Sequence, residues 1–223
     1  MKYFVVLLSL AFLLSCGGNT SSVKTPVNDD KAEPKTETTK TVDVKDKSFD
    51  ELFKKVQPAE LTDNVFKLVG EDYTVITSGE GEKYNSMTAS YGGWGRLFEE
   101  PVTWCFLRAN RYTLELMKES KTYTMTYFAD EYKDQVMYFG SVSGRDSEKM
   151  KNHKLTPVQT PDGTPAYKEA KLIVECKLME VTTVNPADFY MEKGKSFVEE
   201  AYAEAKDYHK LVFGQITNVW VRK

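Results

Sequence analysis

The chain has 223 residues, of which 41 % are hydrophobic and 28 % charged, with a formal net charge of −3. These values fit a globular core and exclude collagen-like, disulfide-dense and mostly disordered chains, while the slightly acidic balance argues against nucleic acid as a partner. Three cysteines in this length cannot form a stapled framework.

Met1-Lys2 gives a short positive start, and Tyr3 to Leu14 follow without a charge. That run is too short to cross a ~30 Å hydrocarbon core as a helix and has the length of an export-signal h-region. It ends in Leu13-Leu14-Ser15-Cys16, which resembles a bacterial lipobox. The resemblance implies a signal peptide over 1–15, cleavage before Cys16, and acylation of Cys16 as the mature N-terminus. It also implies a cell-envelope location, lipid-anchored on the periplasmic or outer-membrane side. From Gly17 to about Lys47, Thr, Ser, Lys, Asp and Pro dominate and aromatic residues are absent. Such a segment buries too little apolar surface to offset its conformational entropy, so 16–47 reads as an acylated cysteine and flexible linker.

The domain expected over 48–223 is long enough for one well-buried core. Ser48 and Glu51 have capping-box spacing, so a short helix is expected to carry Phe49, Leu52 and Phe53 inward. Strands are expected over Asn64 to Val69, Asp72 to Ser78 and Tyr84 to Ser90. Pro101 to Arg108 alternates, with Trp104 and Phe106 opposite Cys105 and Leu107. Thr113 is placed to cap a helix over Leu114 to Glu119. Lys121 to Phe128 alternates strictly, with Thr122, Thr124 and Thr126 opposing Tyr123, Met125 and Tyr127. Asp130 is placed to cap a helix that stops before Gly140, and Asp146 another through Met150. Leu172 to Val181 sets Leu172, Val174, Cys176 and Leu178 on one face. Phe197, Ala201, Ala205 and Tyr208 recur at helical steps, predicting an amphipathic helix over Lys195 to Tyr208. Leu211 to Val221 closes the chain as a strand. Many strands with few helices predict an antiparallel barrel with helical decorations, mainly β.

Several chemistries are excluded. Gly79-Glu80-Gly81 lacks the third glycine of a dinucleotide fingerprint, because position 84 is Tyr. Gly140-Ser141-Val142-Ser143-Gly144 resembles a nucleophile elbow but has Val where Ser must sit. There is no C-x-x-C, and His153 and His209 lack ligand spacing, so no metal site is expected. Cys105 and Cys176 fall in strand patterns and read as buried thiols.

Three polar clusters remain. Asn85-Ser86-Met87-Thr88-Ala89-Ser90-Tyr91-Gly92-Gly93 has small side chains that let a flat ligand approach the backbone. In Arg108 to Thr113 a guanidinium precedes a helix N-terminus, an arrangement suited to phosphate. Gly140 to Asp146 forms an adaptable loop, with Arg145 and Lys149 adding positive charge.

Together and in this order, the clusters resemble the flavin reductase-like, FMN-binding split-barrel family, which includes the flavoredoxins. The family pattern of N-x-M-T-A-S-aromatic, R-Y-T and S-G-R-D-x-x-K stands here as Asn85 to Tyr91, Arg111-Tyr112-Thr113 and Ser143 to Lys149. The resemblance covers the domain from about Val65 onward and implies an antiparallel Greek-key split barrel that forms a homodimer around FMN. It implies that Asn85, Met87, Thr88, Ala89 and Ser90 line the isoalloxazine, with Tyr91 at the ring edge. Arg111, Thr113 and Lys149 would hold the phosphate beside Tyr112, with Ser143 and Arg145 as secondary candidates. His209 matches a histidine before the last strand that approaches the nicotinamide or flavin face; as a helix-end His favoured by the dipole it would have no such role. The stretch from Asn185 to Asp207 departs from shorter members as an insertion. The activity implied is transfer of electrons from NAD(P)H to flavin. Alternatives are a membrane-tethered FMN carrier reduced by a redox protein partner, and a non-catalytic flavin-binding lipoprotein.

Overall fold

The computed structural model describes residues 44–146, 148–204 and 207–223. The signal peptide, Cys16 and most of the linker expected upstream lie outside the described residues. Packing begins at Val44, which is buried, and Lys168 donates to the carbonyls of Lys45 and Lys47.

The chain enters through α1 (Phe49–Leu52), where the Glu51 carboxylate accepts from the Ser48 backbone N–H and hydroxyl, both at 2.7 Å. Phe49, Leu52 and Phe53 are buried as expected. β1 (Phe53–Val56) follows. The strand expected over Asn64 to Val69 is instead α2 (Val65–Lys67) running into a π-helical turn, Leu68–Asp72. Asn64 is the cause: its side-chain oxygen accepts from the N–H groups of Phe66 and Lys67, capping a helix where hydrophobicity alone suggested a strand.

Two hairpins come next, β2 (Thr74–Glu80) with β3 (Lys83–Ala89), then β4 (Gly92–Leu97) with β5 (Glu100–Arg108). α3 (Tyr112–Ser120) leads to β6 (Thr122–Tyr127). Beyond it lie α4 (Lys133–Ser141), α5 (Lys149–Asn152) and the small ribbon of β7 (Pro157–Gln159) and β8 (Pro165–Tyr167). β9 (Leu172–Thr183), α6 (Glu192–Ala201) and β10 (His209–Arg222) complete the chain.

The main sheet is antiparallel, ordered β3-β2-β6-β9-β10-β5-β4, with β1 added to β10. β10 pairs along one edge with β9, and along the other with β5 through its first half and β1 through its last turn of strand. β3 and β4 stand at opposite ends of that order, yet only Ser90 and Tyr91 separate them in sequence. The sheet must therefore roll until its ends approach, and the β4–β5 ladder runs one residue further toward β3, with Phe106 N–H donating to Tyr91 O at 3.2 Å.

The barrel interior holds the inward faces read from alternation: Cys105 and Leu107, Tyr123, Met125 and Tyr127, and Leu172, Val174 and Cys176. Each large apolar side chain buried there contributes about 1.5–3 kcal/mol. Gly214 admits the Tyr123 phenol, since a Cβ at 214 would lie 2.1 Å from its hydroxyl oxygen. A second apolar cluster, including Phe49, Val75, Phe139, Tyr167 and Trp220, packs α1, α4 and the small ribbon onto the outer face.

Four helices differ from expectation. α5 has Glu148 at its cap position and runs past Met150 to Asn152, while Asp146 Oδ1 accepts from the Glu148 N–H in the turn before it. α3 starts at Tyr112 with Arg111 as its cap residue, and Thr113 is turned inward rather than capping. α4 continues through Gly140, because Lys149 Nζ donates to Phe139 O at 2.8 Å and so satisfies a terminal carbonyl. α6 ends at Ala201, whose carbonyl accepts from Arg108 Nη2, so Tyr208 lies beyond the helix.

Candidate functional site

β3, the N-terminus of α3 and the end of α4 converge on two adjoining cavities. The larger, about 430 Å³, is lined by Met87 to Tyr91 along β3 and its exit, by Phe106, Arg108 and Arg111, and by Met137, Gly140 and His209. The smaller, about 50 Å³, is lined by Asn85, Met87, Thr88, Arg111, Tyr112, Thr113, Gly140, Gly144 and Lys149. Met87, Thr88, Arg111 and Gly140 face both. β3 therefore runs as a spine, from Asn85 in the narrow end to Tyr91 in the wide one.

The narrow end is built for an anion. Lys149 is only 2 % exposed, and its ammonium has one partner, the Phe139 carbonyl. Burial, and then the neighbouring Arg111 guanidinium, lower its pKa from the ordinary 10.5 to about 8. Arg111 is exposed and has no ion-pair partner among the described residues. Two cations thus share a pocket at the positive end of α3 without a carboxylate between them.

Asn85 orders the same pocket. Its amide donates to Thr113 Oγ1 at 2.7 Å, which explains the inward turn of Thr113. Its Oδ1 is buried without a partner among the described residues, an acceptor suited to a hydroxyl donor on a ligand. Gly144 lets the 142–146 loop close over this amide, because a Cβ there would lie 2.6 Å from Asn85 Nδ2.

The wide end is more apolar than the narrow one, with Met87, Ala89, Tyr91, Phe106 and Met137 in its lining. Thr88 Oγ1 donates to Val136 O, locking β3 against α4. Tyr91 is 51 % exposed, and its ring meets His209 edge-on at 6.2 Å. His209 is half-buried, and its Nδ1 is hydrogen-bonded to Tyr202 Oη. Burial, then Arg108, hold its pKa below the ordinary histidine value, with Arg111 adding to them and Asp207 opposing. Arg108 is itself paired with Asp207 at 2.8 Å.

The structure brings together Asn85, Met87, Thr88, Ala89, Ser90, Tyr91, Arg111, Tyr112, Thr113, Lys149 and His209 from the sequence-derived candidates. Asn85 stands at the cationic end rather than along the wide cavity. Ser143 and Arg145 line neither cavity: Arg145 pairs with Glu115 and lies over the Tyr112 ring, and Ser143 Oγ accepts from the Arg145 N–H. Sequence reasoning missed Tyr73, Phe106 and Met137, and gave no role to Arg108, which opens the second polar cluster. Tyr73 carries a positive φ of 65°, a strain with no sequence signature.

Residues 67–223 match the family model of the flavin reductase like domain. No curated protein matches the chain significantly. The chain is similar in structure to an FMN-binding protein from Thermus thermophilus with 1-cyclohex-2-enone bound, at 21 % identity over 72 % of this chain and 75 % of that one, TM-score 0.53. It is similar to flavoredoxin of Desulfovibrio vulgaris (Miyazaki F), at 18 % identity over 74 % and 76 %, TM-score 0.52. It is also similar to an NADH:FAD oxidoreductase from Streptomyces globisporus, at 14 % identity over 68 % and 78 %, TM-score 0.50. At these identities the likeness establishes the fold, a split barrel.

Proposed function

The chain belongs to the flavin reductase like domain family, and from that premise we propose that it binds FMN and serves as a flavin-dependent oxidoreductase. The observation that carries the reading is the pairing of a mostly apolar cavity with a small pocket holding two cations that have no carboxylate partner among the described residues. An FMN phosphate fits Lys149, Arg111 and the N–H groups at the start of α3, each a charge-assisted or dipole-aligned donor. The ribityl hydroxyls fit the unpartnered Asn85 Oδ1. The isoalloxazine fits between Met87 to Ser90 and Met137, with Tyr91 and His209 at its edge.

When bound, the flavin would supply the redox chemistry, accepting a hydride from NAD(P)H and passing electrons onward. The chain's own part is binding and orientation. Arg111 and Lys149 fix the charged end, Thr88 holds β3 in register with α4, and His209 offers a neutral imidazole beside the ring. The exposed Tyr91 and Met137 form an apolar rim on the open side of the cavity, and a second copy of the chain would cover it as a homodimer.

The lipobox-like Cys16 supports a second reading of the electron source. A lipid-anchored domain in the cell envelope would not meet cytoplasmic NAD(P)H, and a redox protein partner would then reduce the flavin. Anaerobic mixing of the FMN-loaded protein with NADH or NADPH tests this: rapid bleaching of the flavin supports the reductase. Bleaching by dithionite alone supports the carrier, and no flavin absorbance after reconstitution contradicts both.

A further inference from the structure

Beside the proposed flavin site lies a third cavity of about 540 Å³ that the phosphate and ring assignments leave unused. It is walled by Tyr91 and Phe106 from the barrel and by Val184, Phe189, Phe197, Val198 and Tyr202 from the segment around α6. Tyr91, Phe106 and His209 line both this cavity and the wide cavity of the site, so the two chambers share one wall.

The volume falls in the range of small-molecule sites, and the lining is mostly aromatic with few polar groups. Those groups are donors. Lys193 has no ion-pair partner among the described residues. The Tyr202 hydroxyl accepts from the His209 backbone N–H at 3.4 Å and shares a further hydrogen bond with His209 Nδ1, in which either atom can donate. Among the described residues Lys193 supplies the one full charge lining the cavity, a sparse match for a dinucleotide with two or more phosphates. A flat apolar ring bearing carbonyl acceptors matches both the walls and the donors.

We propose that this cavity is a binding site for a para-quinone, placed against the flavin site by the α6 segment. It rests on the flavoprotein reading for its reductant. A bound quinone takes up two electrons from the reduced flavin and two protons, from the reduced flavin and solvent, its two carbonyls becoming hydroxyls while the flavin returns to the oxidised state. Phe197 is the sensitive position: half exposed on α6, it packs edge-on to Tyr91 at 6.4 Å, and a charge there sits in the cavity mouth without entering the core.

The test is calorimetric titration of the full flavin-free chain with duroquinone, whose fully substituted ring cannot alkylate thiols. Saturable one-to-one binding is expected, weakened at least about tenfold in Phe197→Asp and severalfold in Lys193→Ala, a solvent-facing change that leaves packing intact. No saturable binding, or equal affinity in both variants, would overturn the proposal. FMN binding without duroquinone binding removes this site and leaves the flavoprotein reading, whereas duroquinone binding without FMN does the reverse.

Discussion

Lys149→Met separates a ligand-binding ammonium from a structural one. Burial and Arg111 hold the Lys149 pKa near 8 instead of 10.5. At roughly 1.4 kcal/mol per pH unit, keeping that charge in the folded protein costs about 3 kcal/mol. Its hydrogen bond to Phe139 O returns about 1.5–3 kcal/mol. The two nearly cancel, so the Met variant is expected within about 1 kcal/mol of the parent by urea unfolding at pH 7. The sign of the pH dependence follows from the lowered pKa. Between about pH 8 and 10.5 the unfolded lysine holds a proton that the folded one has lost, so parental stability rises relative to the variant by up to about 3 kcal/mol. The same change should weaken FMN by about 10- to 150-fold, one charged hydrogen bond, and leave riboflavin unaffected. Destabilisation beyond about 3 kcal/mol at pH 7 with unchanged FMN affinity would refute the reasoning, because Lys149 would then be only a cap on α4.

Asp72, 8 % exposed, receives Lys67 and Lys171 at 2.5 and 2.6 Å; burial raises its pKa, but the two ammonium groups more than offset this and hold it below the ordinary value. Asp72→Asn is expected to cost about 2 kcal/mol by urea unfolding at pH 7, less than a fully buried pair because both lysines reach solvent. With a lowered pKa the contribution is complete above about pH 4 and disappears as pH falls further, so a difference that persists at pH 2 would contradict the ion-pair account. Gly144→Ala places a methyl against the Asn85 amide and should weaken FMN by roughly tenfold, from an overpacking cost of about 1–3 kcal/mol; an unchanged dissociation constant would remove the 142–146 loop from the site. Burial pushes the Cys105 thiol far up and Cys176 to about 12, and both side chains are inaccessible. Neither should react with a thiol reagent in the native protein at pH 8, as read by mass mapping, and modification at the rate of free cysteine would show that the barrel opens.

The alternating strands were legible because one face of each enters the barrel: Tyr123, Met125 and Tyr127 point inward as their spacing required. β4 was not, since Gly92, Gly93 and Gly95 carry no pattern of their own. The missing side chains of Gly93 and Gly95 make room for the Trp104 ring, 2.5 Å from where a Cβ of Gly93 would stand. Asn64 misled through hydrophobicity when its side chain was the stronger signal. At the site, β3 and the start of α3 were legible from their residue types. The family resemblance ranked Arg111 and Lys149 ahead of Arg145, and the physical reason appears only in the fold: Arg145 is claimed by Glu115 from a distant helix, while Lys149 is buried by packing that no local pattern records. The α6 segment read as an amphipathic helix, but its exposed aromatic face acquires meaning only against Tyr91 and His209.

The central claim is that Lys149 and Arg111 form a site for the phosphate of a flavin mononucleotide. It is tested most directly by the dissociation constants of FMN and riboflavin for the same preparation, measured by flavin fluorescence quenching at pH 7. Two charge-assisted contacts at about 1.5–3 kcal/mol each predict that FMN binds at least about a hundredfold more tightly. Equal affinities would contradict the account.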